Sequence, residues 1–126
     1  MASAAENKET IRKAYEGMAG GDPKAFLGAL DPEIEIHEPD PLPYGGSYKG
    51  QAEVIEFMKK AAGVMDVSRF EVEHLLAEDD RVVAVLKVGL HAGGEAHLSE
   101  HWLMRDGKAV ELRVFCFDPT KVAAPA

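Results

Sequence analysis

The sequence predicts an α+β domain in which three helices precede a mostly antiparallel sheet. Apolar residues recur at helical spacing in the first half of the chain and alternate with a period of two in the second half. The turns between the alternating segments are short, and short turns join antiparallel neighbours. The second half is therefore predicted to form a four-strand meander, with strands at about 67–78, 82–91, 96–105 and 108–117.

The predicted helices begin and end at capping residues. Ser3 followed by Glu6 is a capping box, and the helix that it opens ends at Gly20-Gly21. Asp22-Pro23 begins a short second helix, which ends before Asp31-Pro32. Three apolar stripes make these helices amphipathic: Ile11, Ala14, Tyr15 and Met18 in the first, Phe26, Leu27 and Leu30 in the second, and Val54, Phe57, Met58 and Ala61 in the third.

One strand is predicted ahead of the third helix, at about 33–38, where Pro39 limits it. Residues 39–50 are rich in proline and glycine and predict a loop. Asp106-Gly107 is a two-residue hairpin signal, and the tail at 122–126 is expected to fray. No linker or repeat divides the chain, so residues 1–126 are predicted to form one domain.

Composition excludes several classes of partner. The chain has 14 Lys plus Arg against 22 Asp plus Glu, a net charge of −8, which argues against nucleic acid and anionic membranes. Cys116 is the single cysteine, so an internal disulfide and a multi-cysteine zinc site are excluded. No apolar run approaches the ~20 residues of a membrane span, and the first residues lack a signal pattern. We therefore expect a cytoplasmic protein.

Glu38 and Glu100 are the candidate catalytic residues. Alternation places Glu38 on one face with Ile34 and Ile36, and places Glu100 on one face with Trp102. A carboxyl group that faces an apolar interior is costly to ionise, and its proton affinity rises. If one of two such carboxyl groups is ionised it can act as a base, and if the other is protonated it can donate a hydrogen bond. Together they can carry out proton transfer. The alternative for both is a structural role, in a buried ion pair or at a strand end that reaches solvent.

The other candidate site residues are apolar or carry a hydroxyl. The predicted inward stripe of the last strand is apolar or nearly so: Val110, Leu112, Val114 and Cys116. Trp102 is part of the core, a platform for a ligand, or both. Tyr15 is either an oxyanion donor or a core aromatic residue. Tyr44 and Tyr48 lie in the predicted loop, where they cap a pocket or tether the loop.

The five histidines do not predict a metal site. His97 and His101 are four residues apart, which is ~13 Å on a strand, and both are predicted to face away from the acids, as is His37. His74 alternates with apolar neighbours and is predicted to line the ligand-facing side. No phosphate loop, dinucleotide fingerprint or serine elbow is present. The sequence thus predicts a small hydrophobic ligand, with no metal and no cofactor.

The order of elements resembles the nuclear transport factor 2-like superfamily, and within it ketosteroid isomerase-like and polyketide-cyclase (SnoaL-like) proteins. The resemblance covers about residues 7–118 and includes the Gly-Gly-Asp turn at 20–22, the Asp-Pro-Glu strand start at 31–33 and the Tyr-Gly-Gly-Ser-Tyr-Lys-Gly loop at 44–50. It implies a cone-shaped fold, with three N-terminal helices packed on a strongly curved, mostly antiparallel sheet.

The resemblance also implies roles for single residues. Glu38-Pro39 resembles the step that holds the isomerase general base, and Glu100-His101 resembles the place of its protonated oxyanion donor. Counted back from Gly21-Asp22, the place of the isomerase tyrosine falls on Ala14, and Tyr15 is rotated from it by ~100°. The implied assignment is therefore Glu38 as base and Glu100 as donor, without a tyrosine in the isomerase position.

These patterns together predict a cofactor-free acid–base enzyme acting on a small hydrophobic carbonyl compound, as an isomerase, an aldol cyclase or a dehydratase. The alternative is a non-catalytic small-molecule-binding or interaction module of the same fold. The outer face of the sheet is predicted to be too apolar to stay in water, which favours a homodimer. Its apolar residues are Val83, Val85, Leu103, Phe115 and Phe117.

Overall fold

The chain folds into helices packed on one face of a six-stranded sheet, as seen in a computed structural model that describes residues 2–40 and 42–123. The elements in chain order are α1 (Ala4–Ala19), α2 (Lys24–Gly28), β1 (Leu30–Glu38), β2 (Gly46–Lys49), α3 (Gly50–Ala62), β3 (Met65–Glu78), β4 (Arg81–Leu90), β5 (Glu95–Arg105), β6 (Lys108–Cys116) and α4 (Pro119–Ala123). The predicted α+β class is confirmed.

The sheet has the strand order β2-β1-β6-β5-β4-β3. The predicted meander is confirmed, because β3, β4, β5 and β6 are antiparallel neighbours in sequence order. β1 lies beside β6 and is parallel to it, which makes the sheet mixed. This pairing places β1 on one side of β6 and β5 on the other.

The first helix forms as its capping residues predict. The Ser3 hydroxyl accepts a hydrogen bond from the Glu6 backbone N–H at 3.1 Å, and the Glu6 carboxylate accepts one from the Ser3 backbone N–H at 3.0 Å. The buried side of α1 includes Ile11, Ala14 and Tyr15 and packs against β3 and β4. Among the described residues, no helix is long and apolar enough to cross a membrane.

Three segments differ from the predictions. Leu30, predicted to belong to the second helix, instead begins β1, so that prediction is wrong. The predicted loop contains β2, which pairs with β1 so that Tyr48 lies opposite Ile36 and buries its ring. β2 has only four residues and is flanked by Gly45 and Gly50, so it is too short to show an alternation of apolar and polar residues. The tail was expected to fray, but Val122 belongs to α4 and is only 2% exposed, so the prediction is wrong for this residue. Residues 124–126 of the tail lie outside the described part of the chain.

Two β-bulges change which side chains face inward. A register shift in β3 between Val72 and His74 places His74 on the exposed side, opposite Val85 of β4. A second shift, where β6 pairs with β5, buries Ala109 and leaves Val110 partly exposed. An extra residue reverses the alternation beyond it. The predictions that His74 and Val110 line the inner face are therefore wrong.

Candidate functional site

Glu38 and Glu100 lie on the helix-covered face of the sheet, on either side of β6. In the parallel pair of β1 and β6, His37 lies opposite Arg113, so the next residue of β1, Glu38, is level with Val114. In the antiparallel pair of β5 and β6, Glu100 lies opposite Val114. Val114 therefore lies between the two acids. Two strand spacings separate the backbones of β1 and β5, or ~10 Å, a span that two glutamate side chains can largely close.

Glu100 accepts a hydrogen bond from a tyrosine that is itself held by a tryptophan. The Tyr15 hydroxyl donates to Oε1 of Glu100 at 2.7 Å, and Nε1 of Trp102 donates to the Tyr15 oxygen at 2.8 Å. The Tyr15 ring also stacks on Phe70 with its centroid 5.5 Å away. Tyr15 is thus a core aromatic residue and a member of the site at once. The sequence comparison, which placed Tyr15 one residue away from the position of the isomerase tyrosine, did not indicate that Tyr15 contacts Glu100.

Burial raises the proton affinity of both acids. Glu38 is 8% exposed, and burial together with the charge of Glu100 raises its pKa to about 9. Burial also raises the pKa of Glu100, to about 7, against the opposing effect of the hydrogen bond from Tyr15. Among the described residues no hydrogen bond contributes to the Glu38 shift. Between about pH 7 and pH 9 the two groups together therefore hold one proton.

Tyr44 brings a further hydroxyl to the two acids. It is 1% exposed, and burial, then the charges of Glu38, Cys116 and Glu100, raise its pKa far above the usual value. Among the described residues, the acceptor of its hydroxyl proton is the sulfur of Met65, at 3.6 Å. A thioether is a weak acceptor, so this hydroxyl proton is available to a better one.

The loop that carries Tyr44 is tethered at two points. The Tyr48 hydroxyl donates to the Tyr44 backbone carbonyl at 2.8 Å, so Tyr48 tethers the loop rather than joining the site. Gly45 packs so closely that an added Cβ would lie 2.9 Å from the Pro39 carbonyl oxygen. The glycine allows the loop to fold back against the end of β1, next to Glu38.

The surroundings of the acids are apolar. Trp102, Leu112 and Val114 are 0%, 2% and 4% exposed and share the inner face with the acids. Glu100 is only partly buried, although it lies between the buried Leu98 and Trp102. The acids therefore lie on an inner face whose neighbouring side chains are apolar and almost inaccessible to solvent.

The remaining predicted candidates lie outside this cluster. His74 borders an open groove between α1 and β3. His97 contacts Glu73 at 3.8 Å, and His101 hydrogen-bonds Ser99 at 2.9 Å, both on the outer face as predicted.

His37 also faces outward, and it is the centre of a charged cluster. Its Nε2 lies 3.8 Å from a carboxylate oxygen of Glu35 and 3.8 Å from one of Glu111. The ligand atoms of these three side chains are close enough together to bind a metal ion. However, Lys49 lies 3.8 Å from the Glu35 carboxylate, and Arg113 lies 3.7 Å from the Glu111 carboxylate. Cations of the chain itself therefore compensate the acids, as in a surface ion-pair network.

Solved structures share this fold over nearly the whole chain. An NTF2-like protein of unknown function from Burkholderia pseudomallei is 25% identical, with a TM-score of 0.81 over 92% of this chain and 93% of that one. TerC, co-crystallized with polyporic acid, is 26% identical, with a TM-score of 0.81 over 92% and 94% of the two chains. Bal32a, from a soil-derived mobile gene cassette, is 21% identical with a TM-score of 0.82 over 95% of each chain, a likeness of fold alone.

A comparison with curated proteins gives no match. The family model described as "SnoaL-like domain" matches residues 11–112, which include the part of α1 that carries Tyr15, both acids, Tyr44, and all of β1 and β5. The chain belongs to the SnoaL-like family, within the NTF2-like superfamily.

Proposed function

We propose that this protein is a cofactor-free acid–base enzyme for a small hydrophobic carbonyl compound. One observation carries the proposal: two carboxyl groups face each other across Val114 on an apolar surface, and their surroundings separate their proton affinities. A pair of titratable groups whose pKa values are driven apart is the arrangement that runs acid and base chemistry together near neutral pH.

The reaction begins with proton transfer from carbon. The ionised acid takes the hydrogen on the carbon next to the carbonyl, and the electrons of that C–H bond form the carbon–carbon double bond of an enolate. The former carbonyl π electrons move to oxygen, where the protonated acid donates a hydrogen bond. Return of the proton to a different carbon completes an isomerisation. Attack of the enolate carbon on a second carbonyl, whose oxygen then takes up the proton, gives an aldol cyclisation. Departure of a β-hydroxyl, which takes the proton from the acid and leaves as water, gives a dehydration.

The side chains around the acids indicate the class of substrate. Trp102, Leu112 and Val114 are aromatic or aliphatic, carry no positive charge and are almost fully buried, so the surroundings of the acids suit a neutral, ring-containing ketone better than a polyanion. The co-crystallization of TerC with polyporic acid makes that compound a reasonable test ligand for this chain as well.

The test is exchange of the acidic carbon-bound hydrogen for deuterium in heavy water, followed by proton NMR on a panel of unsaturated ketones and β-keto esters. Glu38→Gln and Glu100→Gln should each slow exchange by about a hundredfold or more, whereas ligand affinity should stay within a few fold. Glu111→Gln on the outer face is the matched control and should exchange at the wild-type rate. If both site variants match wild type on every compound that binds, the protein is a binding module and not an enzyme.

We also propose that two copies of the chain form a homodimer through the outer face of the sheet. Phe115 and Phe117 are 51% and 87% exposed there. They border an apolar groove of about 530 Å³ together with Val85. Charges of both signs lie on the same face of β6 as Phe115, since Arg113 and Glu111 form an ion pair there. A surface that carries both signs can complement itself across a two-fold axis even though each chain has a net charge of −8.

A further inference from the structure

The hydrogen bonds from Trp102 through Tyr15 to Glu100 have a fixed direction. An indole N–H can only donate, so the Tyr15 oxygen accepts the hydrogen bond from Trp102. The hydroxyl has one proton, and that proton points to Oε1 of Glu100, 2.7 Å away. Glu100 is therefore the end of a chain of donors, whereas no hydrogen bond from a described residue contributes to the proton affinity of Glu38.

Such a chain discriminates between the two acids. A hydrogen bond donated to a carboxyl group stabilises its ionised form more than its neutral form. Glu38 has burial without this compensation, so its neutral form is the favoured one. Because the two negative charges repel each other, ionisation of Glu100 holds the remaining proton more firmly on Glu38.

We infer that Tyr15, oriented by Trp102, is a positioning residue that keeps the shared proton on Glu38 and leaves Glu100 as the base. This inference corrects the assignment implied by the family resemblance, in which Glu38 was the base and Glu100 the donor. The location of the proton rests on the hydrogen bonds and the burial of the two acids, and the catalytic roles rest on the function proposed above.

The other titratable groups around the pair do not compete for this role. The pKa values of about 7 for Glu100 and about 9 for Glu38 follow the same order as the hydrogen bonds. Tyr15 from α1, Tyr44 from the loop and Cys116 from β6 face the pair, and burial raises the pKa of all three, so they stay neutral at pH 7. Among the described residues no cationic side chain contributes to either glutamate shift.

The assignment also orients the substrate. Its acidic C–H bond faces Glu100, on the side of Tyr15 and Trp102. Its carbonyl oxygen faces protonated Glu38 and the hydroxyl of Tyr44, whose acceptor within the described part of the chain is a thioether sulfur. Two neutral donors would then share the developing negative charge on oxygen.

Titration of the glutamate side chains in the ligand-free protein tests this inference. Carboxyl carbons labelled with carbon-13 are followed by NMR from pH 4 to 11, and the signals missing in Glu38→Gln and Glu100→Gln give the assignments. In wild type, Glu100 should titrate at lower pH than Glu38. Tyr15→Phe should raise the Glu100 midpoint by about one to two units, since it removes one hydrogen bond to a charged group.

Two further variants make the test specific. Trp102→Phe removes the donor that orients the hydroxyl and should move the Glu100 midpoint in the same direction by a smaller amount. Tyr48→Phe also deletes a buried hydroxyl, but that hydroxyl binds the Tyr44 carbonyl, so the order of the two glutamate titrations should be unchanged. Glu38 titrating first in wild type, or a Glu100 midpoint that Tyr15→Phe does not move, would overturn the inference.

The titration needs no substrate, so it separates this inference from the proposed function. If Glu100 titrates first and no compound in the panel exchanges, the proton assignment stands and the enzyme proposal fails. If exchange depends on both acids and Glu38 titrates first, the enzyme proposal stands and the role of Tyr15 is wrong.

Discussion

A buried acid that holds its proton makes the stability of the fold depend on pH, and Glu38→Gln should remove part of that dependence. The folded chain has a Glu38 pKa of about 9, raised by burial and by Glu100, against an ordinary value of 4.5. Between these values the folded chain holds a proton that the unfolded chain releases. The contribution of Glu38 to the free energy of unfolding should therefore be highest in acid and fall as pH rises toward 9.

The size of the effect follows from the same two values. One proton is worth about 1.4 kcal/mol per pH unit, so keeping Glu38 in the folded chain costs about 5 kcal/mol at pH 8 relative to acid. Domains of this size have total stabilities of roughly 5–15 kcal/mol, so the term is large. Glutamine has nearly the same shape and cannot ionise. The stability of Glu38→Gln relative to wild type should therefore rise by about 1.4 kcal/mol per unit between pH 5 and 9.

Urea unfolding at each pH, followed by the fluorescence of the single tryptophan, Trp102, measures this difference. Protein concentration is held constant, because self-association would add to the stability. Glu33→Gln changes an exposed glutamate for which the described residues give no ion pair, and it should differ from wild type by a constant within about 0.5 kcal/mol. A difference between Glu38→Gln and wild type that did not change with pH would refute the burial argument for Glu38.

Two further predictions concern surfaces away from the acids. Phe117→Glu combined with Phe115→Ser should convert a dimer of the chain to a monomer in light scattering at micromolar concentration, and a wild-type chain that is already a monomer would remove the dimer proposal. Val122→Asp places a charge at a site that is 2% exposed and should lower the free energy of unfolding by about 2 kcal/mol or more. An unchanged urea midpoint would mean that α4 does not contribute to the fold.

The sequence predicted the parts of the fold that depend on local periodicity. Alternation with a period of two placed Glu38 and Glu100 on the inner face, and the structure confirms this for both. The same rule failed for His74, because a bulge adds a residue to β3 and no residue type in that segment signals it. β2 was also missed, since its four residues lie in a segment rich in proline and glycine.

The contacts that distinguish the two acids could not be predicted from periodicity. Alternation showed that Trp102 and Glu100 are neighbours on one face, two residues apart. It did not show which residue of α1 lies above them, because the rotation of a helix on a sheet is set by packing. Tyr15 reaches Glu100 through that packing, and the order of the two proton affinities depends on this one hydrogen bond.

The pH dependence of carbon-bound hydrogen exchange tests the central proposal, a pair of glutamates that shares one proton, most directly. With a substrate from the ketone panel, the rate should rise as Glu100 loses its proton near pH 7 and fall as Glu38 loses its proton near pH 9. This bell-shaped profile should disappear in Glu100→Gln. A rate that increased steadily with hydroxide concentration, and did so equally in wild type and Glu100→Gln, would contradict the proposal.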